Sequence, residues 1–157
     1  MKPRINYASV APEALQGLFG TEKYLSKSSL GHGLLHMLKL RASQMNGCAY
    51  CIDMHWKDLR ALDETELRLY SLAVWRECPW YTERERAALA WAEAVTFVAT
   101  GQVPDAVHAE VRPHFSDTEL ADLTLAVATI NAWNRLSIAA RLTPGTYKPA
   151  LATAAPS

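Results

Sequence analysis

Apolar side chains recur at helical spacing along nearly the whole chain, and no segment gives a convincing period-two alternation. That pattern confines the chain to an all-α fold. In residues 28–45, Leu30, Leu34, Leu35, Leu38 and Met45 form one stripe, with Lys39 and Arg41 expected to face elsewhere. The boundaries are marked by residues with specific backbone chemistry. Pro12 opens a helix over 12–19. Asn46-Gly47 stops the helix over 28–45, and the next begins at Cys48 and runs to about Leu62. Asp63 and Glu66 give a capping-box-like start for 64–77, and Cys78-Pro79-Trp80 is a loop. Thr82 and Glu85 cap a helix reaching Thr100, and Pro104 suits the first turn of 104–112. Ser116 and Glu119 cap 117–142, which Thr143-Pro144-Gly145 ends. The expectation is one domain over 1–157 with six to seven helices, its tail frayed over 146–157.

The segment 117–142 is apolar around much of its circumference, wider than the stripe of a surface helix. It is expected either at the centre of the domain or with one face against another subunit. The 157 residues suffice for a real core. Sixteen basic residues balance sixteen acidic ones without a basic run, so no nucleic-acid surface is expected. No apolar run approaches about 18 residues, so no membrane span is expected. The start lacks the apolar centre of a secretory signal, and three cysteines are too few and odd for a disulfide-stapled secreted domain. A cytoplasmic protein with reduced thiols is the expectation.

The chemistry is concentrated in Cys48-Ala-Tyr-Cys51-Ile-Asp-Met-His55. These offsets put two thiols and an imidazole on one helical face. A thiol pair at this spacing can close and reopen a disulfide, and histidine can move the protons involved. The helix dipole favours Cys48 as the thiolate, whereas the imidazole one turn away favours Cys51; spacing leaves the choice open. The rival is zinc held by Cys48, Cys51 and His55, with His36 or His32 as fourth ligand. A motif lying wholly on helix fits zinc less well than redox chemistry. Cys78, alone before Pro79, reads as structural. Tyr50 and Trp56 read as packing or interface residues, Asp53–Lys57 as a surface pair, and Asn131, Asn134 and Arg135 as polar groups at a helix crossing or oligomer contact.

The run from Leu40 to His55, with Thr82–Thr96 and Asn131–Leu136, resembles the AhpD-like alkylhydroperoxidases of the carboxymuconolactone decarboxylase superfamily. The similarity covers about residues 25–145. The resemblance implies an all-helical homo-oligomer, a trimer or a hexamer, and a thiol peroxidase without haem, flavin or metal. It implies a hydroperoxide substrate and an external dithiol reductant or reductase. By position it makes Cys51 peroxidatic, Cys48 resolving and His55 part of a proton relay. Decarboxylases of the superfamily lack the thiol pair, which argues against that activity here. One position departs from the pattern: His36 stands twelve residues before Cys48, where the family carries a glutamate. A histidine can pass a proton but supplies no fixed negative charge. His36 is therefore a candidate relay residue. The alternative is a non-catalytic binding or structural member that lost efficient turnover with the glutamate.

Overall fold

The computed structural model describes residues 2–149, which are helical without strands. In chain order the helices are α1 (Tyr7–Val10), α2 (Pro12–Leu25), α3 (His32–Asn46), α4 (Ala49–Ala61) and α5 (Glu66–Ser71). They continue with α6 (Glu83–Thr96), α7 (Val98–Gly101), α8 (Asp105–Val111) and α9 (Asp117–Ala140). Two 3₁₀ turns, Leu72–Glu77 and Arg112–His114, extend α5 and α8. Each of the seven expected segments is helical. The first runs six residues further than expected, to Leu25. The expected tail begins inside the described residues at 146–149, which have no regular structure, and 150–157 lie outside them.

Local chemistry explains most boundaries. Thr82–Glu85 and Ser116–Glu119 both form reciprocal capping boxes, as their spacing predicts. Asp63 does not cap α5; Thr65 does, its side chain accepting from the Arg68 N–H. Asp63 has φ 62° and closes α4 instead. Its N–H donates to the Arg60 carbonyl, and the Glu64 N–H donates to the Leu59 carbonyl, the Schellman pattern. The expected 64–77 helix is α-helical over Glu66–Ser71, passes into the 3₁₀ turn Leu72–Glu77, and is kinked within that turn at Val74, φ −122°, ψ 31°. Likewise α6 stops at Phe97, before the expected Thr100. α9 stops at Ala140, before the expected 142, where Arg141 turns left-handed at φ 55°.

α3 and α9 form the centre. α3 packs on α4, α6 and α9, while α9 also touches α2, α4 and α6. Leu38, Leu40, Leu89, Leu123 and Val127 are fully buried there. α9 is thus the central helix, as its apolar circumference allowed, although Leu125 and Ile138 remain exposed. Asn134 is completely buried on it. Its amide donates to Ser43 Oγ of α3 at 2.9 Å, and its oxygen accepts from Asn46 Nδ2 at 2.9 Å, so the polar group is satisfied at the helix crossing.

Arg41 does not face solvent as its position off the apolar stripe suggested. It donates to Glu93 of α6 at 2.7 Å. Glu93 also accepts from Trp75 Nε1 at 2.9 Å and pairs with Arg76. Burial alone would raise the Glu93 pKa, but these donors hold it below the ordinary carboxylate value. Glu93→Ala is expected to cost about 3 kcal/mol, because it strands Arg41 and the Trp75 N–H in a mostly buried place. Glu93→Gln should cost less. Urea unfolding checks both; a Glu93→Ala protein as stable as the parent would remove Glu93 as the tie between α3, α6 and the Leu72–Glu77 turn.

Candidate active site

The thiol motif is positioned by two consecutive helix ends. α3 closes on Gly47, whose φ of 69° is the left-handed region that glycine enters without a Cβ penalty. The Cys48 N–H then donates to the Ser43 carbonyl at 3.0 Å and the Gly47 N–H to the Gln44 carbonyl at 3.3 Å. This turn delivers Cys48 to the N-cap of α4, one position before the first turn expected for it. Its sulfur accepts from the Cys51 N–H at 3.4 Å. Cys48 and Cys51 stand as a disulfide, with Cα atoms 5.4 Å apart. Each is 1% exposed, but only Cys51 lines a cavity of about 740 Å³.

That cavity lies between α1, α2, α3, α4 and the end of α9. Phe19, Met54, Trp133 and Leu136 contribute apolar wall, and His36, Lys39, His55 and Asp58 a polar corner. His36 and His55 meet there, Nδ1 to Nδ1 at 3.1 Å, so one nitrogen carries the proton and the other accepts it. His55 is 4% exposed, and its Nε2 is buried without a hydrogen-bond partner. Burial is the largest cause that lowers both imidazoles: His36 to about 4, and His55 well below its ordinary value. Lys39 adds to both effects. His32 is exposed and stacks on the His36 ring with centroids 6.4 Å apart, as a supporting neighbour rather than a wall of the cavity.

Two residues of the corner were not singled out from sequence. Lys39, expected off the buried face, is 5% exposed and pairs with Glu22 of α2. Asp58 brings a carboxylate beside His36 and His55. Its Oδ2 lies 3.6 Å from His36 Nδ1 and 3.8 Å from His55 Nδ1. Tyr147 donates its hydroxyl to Asp58 Oδ1 at 2.6 Å. The signal was present in the sequence as the third residue after His55, on the same helical face.

Asp53 and Lys57 form the expected pair at 2.9 Å, but they also fasten the C-terminal segment. Lys57 donates to the Gly145 and Tyr147 carbonyls, and Asp53 accepts the Gly145 N–H. The zinc set of thiols and imidazole is not assembled, since the two sulfurs are bonded to each other. The compact donor group of His36, His55 and Asp58 is built around a direct N–H···N bond, with the Lys39 ammonium close by to oppose a second cation. Cys78 is buried and free, as a structural cysteine should be. Trp56 packs against the core.

The carboxymuconolactone decarboxylase family matches residues 11–94, which contain the whole thiol motif. The uncharacterised protein YdfG of Bacillus subtilis is 43% identical over 139 residues, covering 88% of this chain and 95% of YdfG. A solved structure from Agrobacterium tumefaciens, of unknown function and provisionally assigned as an AhpD antioxidant defence protein, is 44% identical with a TM-score of 0.89. That match covers 93% of this chain and all of the other. An uncharacterised peroxidase-related protein of Ralstonia eutropha with an AhpD core shares the fold at TM-score 0.78 and 24% identity, over 88% of this chain and 74% of its own. The chain belongs to the carboxymuconolactone decarboxylase family and has its AhpD-like fold.

Proposed function

We propose that the protein is a thiol-dependent peroxidase that reduces hydroperoxides through Cys51 and Cys48. The observation that carries this reading is that the bonded pair presents one sulfur-bearing residue, Cys51, to the cavity, beside a buried histidine whose Nε2 has no partner. In the reduced protein His55 takes the Cys51 proton. The thiolate attacks the outer peroxide oxygen, the O–O bond breaks, and the His55 proton leaves with the alkoxide as an alcohol. Cys51 is then a sulfenic acid. The Cys48 thiol condenses with it, releasing water and forming the disulfide. An external dithiol reopens the bond by exchange and is itself oxidised.

His36 takes part by its hydrogen bond to His55 Nδ1, which leaves Nε2 as the working nitrogen. The apolar wall favours an organic hydroperoxide over hydrogen peroxide. A cytoplasmic setting and a homo-oligomer, trimer or hexamer, complete the proposal; exposed Leu67, Tyr70 and Val74 support an assembly that covers apolar surface. Among the described residues no helix is long and apolar enough to cross a membrane. The test is steady-state consumption of cumene hydroperoxide with dihydrolipoamide as reductant. Turnover that stops when the thiols are alkylated is expected. Absence of turnover from a reduced, folded protein would favour the non-catalytic alternative.

A further inference from the structure

We propose that Asp58 is the positioning carboxylate of this site, supplying from α4 the negative charge that His36 does not supply from α3. The assignment rests on the reading of Cys51 and His55 as the reacting pair. Its basis is geometric. One Asp58 oxygen faces both Nδ1 atoms of the imidazole pair at 3.6 and 3.8 Å, in ion-pair rather than hydrogen-bond range. The other oxygen is held by the Tyr147 hydroxyl at 2.6 Å. Tyr147 in turn is secured through its carbonyl by Lys57 at 3.1 Å. A carboxylate fixed on both sides in this way has little freedom to turn to solvent.

The surroundings show why a charge is needed there. Around the two imidazoles stand Lys39 and His32 from α3, Glu22 from α2, Tyr50 and Asp58 from α4, and Tyr147 from the C-terminal segment. Burial, then His36 and Lys39, oppose an imidazolium at His55. Glu22 is already paired with Lys39. Asp58 is the carboxylate within 4 Å of both rings, and it stabilises the imidazolium formed when His55 takes the Cys51 proton. It touches no reacting atom and acts through His55. Tyr147, in the stretch expected to fray, becomes part of the support of the site.

The test reads the Cys51 thiolate directly. In a reduced Cys48→Ser protein, the rate of Cys51 alkylation by iodoacetamide is followed against pH, with the modified residue located by mass spectrometry. Asp58→Asn should move the midpoint up by about one pH unit, because the imidazolium partner of the thiolate is lost. His36→Glu added to Asp58→Asn should bring it back, by returning a carboxylate from α3. Tyr147→Phe keeps Asp58 and should move the midpoint up by less, which serves if Asp58→Asn folds poorly. Parent midpoints in Asp58→Asn and Tyr147→Phe would overturn the assignment. A shift without rescue by His36→Glu would also overturn it, since a charge at this corner would then not be what matters. If the midpoints move as expected but cumene hydroperoxide is not consumed, the peroxidase reading fails and the role of Asp58 stands.

Discussion

Cys51→Ser is expected to reduce hydroperoxide turnover to the uncatalysed rate, whereas Cys48→Ser is expected to consume a single equivalent per chain and then stop. This asymmetry is expected from where each thiol sits. Both are buried, but Cys51 opens onto the cavity while Cys48 lies behind it at the N-cap of α4. A hydroperoxide in the cavity can reach only the second sulfur without a rearrangement of α4. The helix N-terminus acts in the other direction. The Cys51 N–H aims at the Cys48 sulfur at 3.4 Å and would stabilise a thiolate there. Acidity and access are therefore divided between the two cysteines. A Cys48 thiolate stabilised by that N–H is the better leaving group when an external dithiol attacks the disulfide at Cys51. Rapid mixing of reduced variants with cumene hydroperoxide, with sulfenic acid trapped by dimedone, distinguishes the roles. Adduct on Cys51 in Cys48→Ser supports them. Adduct on Cys48 in Cys51→Ser, at parental rate, reverses them.

The features legible in the sequence are those whose physics is local. Capping boxes at Thr82 and Ser116 need only four residues each, and the glycine at 47 needs only its own backbone. The thiol–thiol–imidazole face follows from helical spacing alone, whereas His36 stood out as a relay candidate only through the resemblance to a family that carries a glutamate at that position. Features set by tertiary partners were not. Nothing near Lys39 announces Glu22, seventeen residues earlier on another helix, so Lys39 reads as an ordinary polar-face lysine. Asp63 offered a plausible cap by spacing, but the end of α4 claimed it first and left Thr65 to begin α5. Asp58 shares the helical face of His55 by spacing, but only packing brings it to His36 and sets Tyr147, eighty-nine residues later, against it. The carboxylate absent from one helix was supplied by a neighbouring one, a substitution visible only when both helices and the C-terminal segment are packed together.

Stability in acid provides the second large effect. The disulfide-bonded protein should lose stability steadily as the pH falls from about 6.5 toward 4, before ordinary carboxylates are protonated. Free histidine titrates near 6.5 when the chain is unfolded, whereas His36 in the fold titrates at about 4 because of burial, Lys39 and His32. Between those values the unfolded chain binds a proton that the folded chain refuses, so stability rises with pH across this window and is lost on acidification. His36 alone contributes a loss on the order of 3 kcal/mol by the lower end. His55, lowered further by burial, His36 and Lys39, adds a loss of the same sign. Asp58 offsets part of it, because its raised pKa makes the folded state the better proton acceptor at that one group. Glu93, held low by Trp75, Arg76 and Arg41, loses its contribution only at still lower pH. Urea unfolding at a series of pH values measures the slope. His36→Gln should flatten it by close to one proton between pH 6.5 and 4.5, since the imidazole that refuses a proton is gone. A parent protein whose stability does not change over that interval would show that both imidazoles charge freely in the fold, and a relay built on a neutral His55 could not then stand.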